Sequence, residues 1–214
     1  MREPLPLHSL AHFVQFDRQI VETTLRRLHS VIVPPSDIHE APRIYHPSFL
    51  EFIMNPSRCT MSEFVIVPVP KQELRHAIRC FELMATHLRR DVAGISDPSL
   101  LNSEVDGFER KVIEALSPEV QYACRYWAIH LSHVELGEKR MVEALEGFSM
   151  RSILWWFEAL SLIGSISTAG NTIQKAHHWA VCIFISHSRL SADSTMILMT
   201  VGLEVQADCS DNLI

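Results

Sequence analysis

From residue 70 onward, apolar side chains recur at steps of three and four over successive stretches, and that period dictates helices packed on helices. The run "KQELRHAIRCFELMATHLRRDV" places Leu74, Ile78, Phe81, Met84 and Leu88 on one stripe. "DPSLLNS" then reads as a loop, and helices are expected at about 103–116, 118–136, 138–148, 150–163 and 166–180. Ser117–Pro118 supplies an N-cap with proline at the first helical position, while Gly137 and Gly164 stand where C-terminal caps belong. Residues 57–180 are therefore expected to form an antiparallel α-helical array.

The first third has a different rhythm. "HSLAHFVQ" is a short helix, "FD" breaks it, and "RQIVETTLRRLHS" is a second helix with Ile20, Val21, Thr24, Leu25 and Leu28 on one face. So tight a turn predicts a helix-turn-helix. The strand-forming "VIV" and "RIY" flank the polar, proline-bearing "PPSDIHEAP", which predicts a short β-hairpin. The order matches a winged helix over residues 1–56, and the predicted fold class is mainly α: a partial winged helix followed by the helical array.

Composition narrows the function classes. With 47% hydrophobic residues in 214, the chain can bury a sizeable core, whereas a net charge of −6 offers no general attraction for nucleic acid or anionic membrane. Five widely spaced cysteines without a C-x-x-C pair indicate free thiols in a reducing compartment. "MREPLPLHSL" lacks the apolar run of a signal peptide, and "ILWWFEALSLIG", interrupted by Glu158, is too short to span a bilayer. These features predict a cytoplasmic protein without membrane partners. The aromatic-rich "YACRYWAIH" and the Trp155–Trp156 pair read as core, because Ala123, Trp127, His130, Leu131 and Val134 share one helix face.

Motifs for chemistry are missing. The sequence has no G-x-x-x-x-G-K phosphate loop, no G-x-S-x-G elbow and no H-E-x-x-H zinc helix. Cys80 and Cys124 fall inside periodic helices, where cysteine is usually a small apolar residue. The chain is therefore read as non-enzymatic. Among twelve histidines, His8 with His12 and His130 with His133 are spaced to face one another across a helical turn, but no Cys or carboxylate is spaced to complete either set, so no metal site is expected. A DNA-binding winged-helix regulator is the alternative reading, with Arg18, Gln19, Thr23, Arg26 and Arg27 facing a groove, although Glu22 lies among them.

"RIYHPSFLEFI" sets His46 between a strand-like run and a helix whose apolar face is Phe49, Phe52 and Ile53. From the residues alone, His46 is a locally satisfied histidine, a metal ligand, or a probe of something bound nearby. Together with "EPLPLHSLAHFVQFDRQIVETTLRRLHSVIV", "IYHPSFLEFIMNPSRC", "RCFELM", "VQYACRYWAIHL" and "LWWFEALSLIGSISTA", it resembles the segment that follows the NTPase core in fungal NACHT-domain STAND proteins. These are NLR-like signalling ATPases of the innate-immunity type, often ending in WD repeats.

The resemblance covers residues 2 to about 180 and implies a winged-helix domain followed by a helical domain. It also implies a role for a histidine in a pattern like H-x-S-F-x-x-F, which in that family reaches the diphosphate of ADP held by the NTPase core. His46, Ser48, Phe49 and Phe52 match the pattern, with Phe49, Phe52 and Ile53 as anchors of the helix that aims the ring. An imidazole N–H suits the task, since it donates to a phosphate oxygen. The implied function is a non-catalytic regulatory module making interdomain or protein–protein contacts with a NACHT-type NTPase core. It needs no cofactor alone, and ADP or ATP only within a full-length parent.

Met1 stands where the family has a further helix, so the chain is expected to be a fragment or truncated product lacking that core and unable to hydrolyse ATP. Residues 181–214 lose helical periodicity and are expected to pack poorly as an atypical tail.

Overall fold

The computed structural model describes residues 2–55, 57–60, 69–95, 97 and 99–188. Its first part runs α1 (Leu7–Val14), α2 (Arg18–Arg27), β1 (Ile32–Val33), β2 (Arg43–Ile44) and α3 (Ser48–Ile53). The strands pair antiparallel, Ile32 opposite Ile44 and Val33 opposite Arg43. Helix, helix, hairpin and helix thus appear in the expected order.

The turn between α1 and α2 has a definite chemistry. Gln15 takes a left-handed conformation at φ 59° and donates to the His12 carbonyl, while the Phe16 amide donates to the Ala11 carbonyl at 3.1 Å. This is a Schellman closure with glutamine where glycine is more usual. Asp17 then caps α2, accepting from the Gln19 amide at 2.7 Å.

The helical part comprises α4 (Val69–His87), α5 (Phe108–Ala115), α6 (Pro118–Leu131), α7 (Lys139–Arg151), α8 (Ile153–Leu162) and α9 (Ala169–Ser188). Two 3-10 turns, Asn102–Glu104 and Ile166–Thr168, precede α5 and α9. The segment expected to be one helix at 103–116 is divided, because Gly107 sits at φ 65° and the chain turns there before α5 begins. Gly164, at φ 66°, ends α8 as expected: its amide donates to Ser161, and the Ser165 amide donates to Leu160 at 2.8 Å. Gly137 lies in the loop well past the end of α6, so it does not cap that helix.

α6 is the central element and touches α1, α4, α8 and α9. Its Val120, Tyr122, Ala123, Cys124, Trp127, Ala128, His130 and Leu131 are all buried. It runs antiparallel to α4, since His130 meets Glu73 while Cys124 neighbours Cys80. Phe81, Trp127, Phe148 and Trp156 form a continuous ring cluster joining α4, α6, α7 and α8, with centroids 4.9–6.0 Å apart. Burying a large apolar side chain contributes roughly 1.5–3 kcal/mol, so this cluster is a substantial part of what holds the array together.

Three side chains bond backbone groups of other segments. The Trp156 indole donates to the Cys124 carbonyl at 2.9 Å, and the Trp179 indole to the Val134 carbonyl at 3.1 Å. Glu158, which interrupts the most apolar run of the sequence, accepts from the Asp91 and Val92 amides just beyond α4. Among the described residues, no helix is long and apolar enough to cross a membrane.

Both ends of the described chain reach the helical core. α1 lies in the stretch read as winged helix, yet its Phe13, together with Leu5, belongs to the same core as α4 and α6. The expected loss of structure after residue 180 is also overturned in part: α9 continues to Ser188, and Ile183 packs against the core. The helix persists because Ala176, Trp179 and Ile183, at steps of three and four, keep one face inward. The expectations for residues 189–214 lie outside the described residues.

Candidate functional site

The hairpin sets the position of His46. Pairing of β1 with β2 continues for one more residue through the Tyr45 amide, which donates to the Val31 carbonyl at 3.0 Å, and the chain then turns through His46–Pro47 into α3. His46 is exposed at this junction. Its Nδ1 lies 3.1 Å from the Ser48 amide and 2.8 Å from Ser48 Oγ. A nitrogen that accepts from an amide carries no proton, so the neutral ring holds its proton on Nε2 and keeps it as a donor.

Ser48 contacts the ring through both its amide and its hydroxyl. Ser48 is the first residue of α3, and its hydroxyl fixes the ring of His46. Around them, Ser30, Val31, Tyr45, Phe49, Phe52 and Arg58 line an open groove of about 280 Å³. The Arg58 guanidinium lies over the Phe52 ring, 5.9 Å from its centroid. Sequence reading did not single out Arg58, although it lies inside the quoted block "IYHPSFLEFIMNPSRC". One imidazole N–H and one guanidinium beside the same groove suit a small anionic group.

The helix that carries the groove is weakly anchored. No residue of α3 is buried: Phe49 and Ile53 are half-buried, and Phe52 is 40% exposed. α2 likewise buries none of its residues. Ile20, on the face expected to pack, is 58% exposed, because the small unit has little against which to cover that face.

The expected reading face of α2 is solvent-exposed, but it is partly neutralised. Arg26 pairs with Glu22 at 2.7 Å, leaving Arg18 and Arg27 flanking an ion pair instead of a cationic stripe.

The histidines meet partners that spacing within one helix does not give. His133 is exposed and donates from Nδ1 to the Ile129 carbonyl at 2.7 Å, so it does not join His130. His12 donates to Glu119 Oε1 at 2.7 Å, across from α1 to α6. Across elements, a carboxylate and a further histidine do approach His130. Glu73 and His76 on α4 and His130 on α6 bring one ligand atom each within 4.8 Å of one another.

Burial sets the ionisation of this group. His76 is pushed down to about 4 by burial, assisted by its neighbour His130. His130 is lowered by burial against the opposing pull of Glu73. Burial alone raises the Glu73 carboxyl, but the His130 hydrogen bond and the Arg2 guanidinium outweigh it, and the group is lowered. At neutral pH the cluster therefore holds two uncharged imidazoles and one carboxylate. Sequence offered a single clue, the Glu-x-x-His spacing at 73–76, but nothing that assigned His130 to it.

The cysteines behave as core residues. Cys59, Cys80 and Cys124 are buried free thiols, and burial pushes Cys124 up to about 12 and raises Cys80 well above the ordinary thiol range. Both remain protonated at neutral pH and so are poor nucleophiles.

Compared with protein families, curated proteins and solved structures, the chain matches none.

Proposed function

We propose that this chain is a non-catalytic regulatory and interaction module of an NLR-like STAND signalling protein. It acts in the cytoplasm against a NACHT-type NTPase core, whose phosphate-binding loop is absent from its sequence. The quoted sequence blocks support the parentage, and one structural observation carries the interaction role. Within residues 16–54, Phe16, Ile20, Ile44, Tyr45, Phe52 and Met54 are all exposed, and neither α2 nor α3 buries a residue. Exposed apolar side chains gathered on so small a unit mark a surface for another protein body.

His46 lies within that unit, with its Nδ1 occupied and the ring proton left on Nε2. In the proposed complex it reaches the diphosphate of ADP held by the core, and Arg58 stands beside the same groove. The module then favours the ADP-loaded arrangement, because its contact exists only there.

The test supplies the NTPase core in trans and measures complex formation by calorimetry, with and without ADP. A one-to-one complex that strengthens with ADP and is weakened by Tyr45→Asp is the expected result. No complex at tens of micromolar protein, with ADP present and both partners folded, overturns the reading.

A further inference from the structure

We propose that Glu73, His76 and His130 form a binding site for a zinc-class divalent metal ion that ties α4 to α6. Glu73 and His76 are three residues apart and so share a face of α4. His130 comes from the buried face of α6 and is fully enclosed. The two imidazole rings stand edge to face, their centroids 5.1 Å apart. One ligand atom from each residue falls within a common span of 4.8 Å.

His76 supplies the second observation. Its Nδ1 is buried and has no hydrogen-bond partner among the described residues. A buried imidazole nitrogen left unsatisfied is costly, and a bound cation would satisfy it. The outer contacts also have the form that metal sites use. His130 Nε2 lies 2.8 Å from the Tyr122 hydroxyl, and the hydroxyl accepts from the Arg2 amide at 2.9 Å. An imidazole whose second nitrogen is held in this way presents the first in a fixed orientation.

The donor set selects the ion. Two nitrogens and one carboxylate suit zinc and its first-row neighbours, whereas calcium and magnesium call for oxygen donors. Zinc bonds of about 2.0–2.2 Å require the three donor atoms to draw closer than their present span. The direct contact between His130 Nδ1 and Glu73 must open as the ion inserts, and the ring proton shifts from Nδ1 to Nε2, where the Tyr122 hydroxyl accepts it. The Arg2 guanidinium, 3.4 Å from Glu73 Oε1 and partly exposed, is the group that an incoming ion displaces. A fourth position is left for water, so the ion is held exchangeably.

The experiment uses the full chain without a polyhistidine tag, stripped of metal and titrated with Zn²⁺ against a coloured chelator, and separately with Co²⁺. One saturable equivalent is expected, with the visible absorption of four- or five-coordinate cobalt and a thermal transition that rises with zinc. His76→Leu should weaken zinc about tenfold or more, while the metal-free variant melts no lower than wild type because the unsatisfied nitrogen is gone. Glu73→Gln, which keeps a hydrogen bond to His130, should weaken zinc likewise and serves if His76→Leu fails to fold. His133→Gln, one turn away and outside the cluster, should leave affinity unchanged. No saturable equivalent in wild type, unaltered affinity in folded Glu73→Gln or His76→Leu protein, or an equal loss in His133→Gln overturns the site.

Discussion

Ser48 holds the ring of His46 from two directions, with its amide 3.1 Å and its hydroxyl 2.8 Å from the same Nδ1. The hydroxyl is thus a positioning group, and its removal leaves the amide contact in place. In a full-length parent, His46→Ala should speed ADP release by the loss of one hydrogen bond to a charged phosphate, about 1.5–3 kcal/mol. Ser48→Ala should have a smaller effect, about 0.5–1.5 kcal/mol, through a less fixed ring. Release rates of labelled ADP, measured on variants with matching circular dichroism, check both; wild-type rates in His46→Ala return the residue to a local structural role.

The two central tryptophans should respond differently to the same substitution. Trp156 donates to the Cys124 carbonyl, whereas the Trp127 indole nitrogen is buried without a partner among the described residues. Both lose ring volume on replacement by phenylalanine, but only Trp156→Phe breaks a hydrogen bond, and Trp127→Phe removes an unsatisfied donor. Trp156→Phe should therefore be the more destabilising by about 1–3 kcal/mol in urea unfolding. Equal midpoints and slopes would show that the indole bond contributes nothing.

Acid should weaken the link between α1 and α6 in a narrow window. Burial raises the Glu119 carboxyl, but hydrogen bonds from Ser9 and His12 outweigh it, so its folded value lies below the ordinary 4.5. A carboxyl depressed in the folded state contributes stability that is complete above 4.5 and is lost as pH falls through the folded value. Glu119→Gln should flatten the stability profile below that point and leave its shape above pH 5 unchanged, within about half a pH unit. Unfolding titrations of both proteins across pH 3–7, roughly the range in which carboxylates and histidines titrate, provide the comparison.

Ile183 packs against the core from the last turns of α9. A chain ended after residue 180 should melt about 2–4 °C below one ended after Ser188, the effect of losing roughly 1 kcal/mol of apolar burial in a protein of this size. Coincident thermal transitions for the two truncations would show the end of α9 to be energetically idle.

DNA binding should be weak and unspecific, since Arg26 is paired with Glu22 on the exposed face of α2 and the whole chain carries −6. Gel-shift titrations from about 50 to 200 mM salt read this directly. Submicromolar binding with a steep salt slope would require several phosphate contacts and favour the DNA-binding alternative.

Periodicity alone located most of the helices, because an apolar stripe at steps of three and four is a local property of the chain. The stripe of Ala123, Trp127, His130, Leu131 and Val134 is buried throughout. Tight turns were also legible where their chemistry is local, as with Pro118 at the start of α6 and Gly164 at the end of α8. The split at Gly107 and the continuation of α9 past 180 were harder to read, since a single glycine or a weakly amphipathic end shifts a helix boundary only when packing allows it.

What the sequence could not supply was the company each polar side chain keeps. His130 reads as a core residue from its own helix, and it is one; its partners Glu73 and Tyr122 differ, in that Tyr122 lies two turns earlier on α6 while Glu73 is 57 residues away on α4. His12 similarly finds Glu119 across 107 residues. Sequence determined most of the helices, the buried face of α6 and the hairpin, because those follow from dihedral preference and the burial of nearby apolar groups. Only the tertiary structure decided the Glu73–His76–His130 cluster and the groove shared by His46 and Arg58, because contacts between separate elements depend on how the elements pack, which no local spacing encodes.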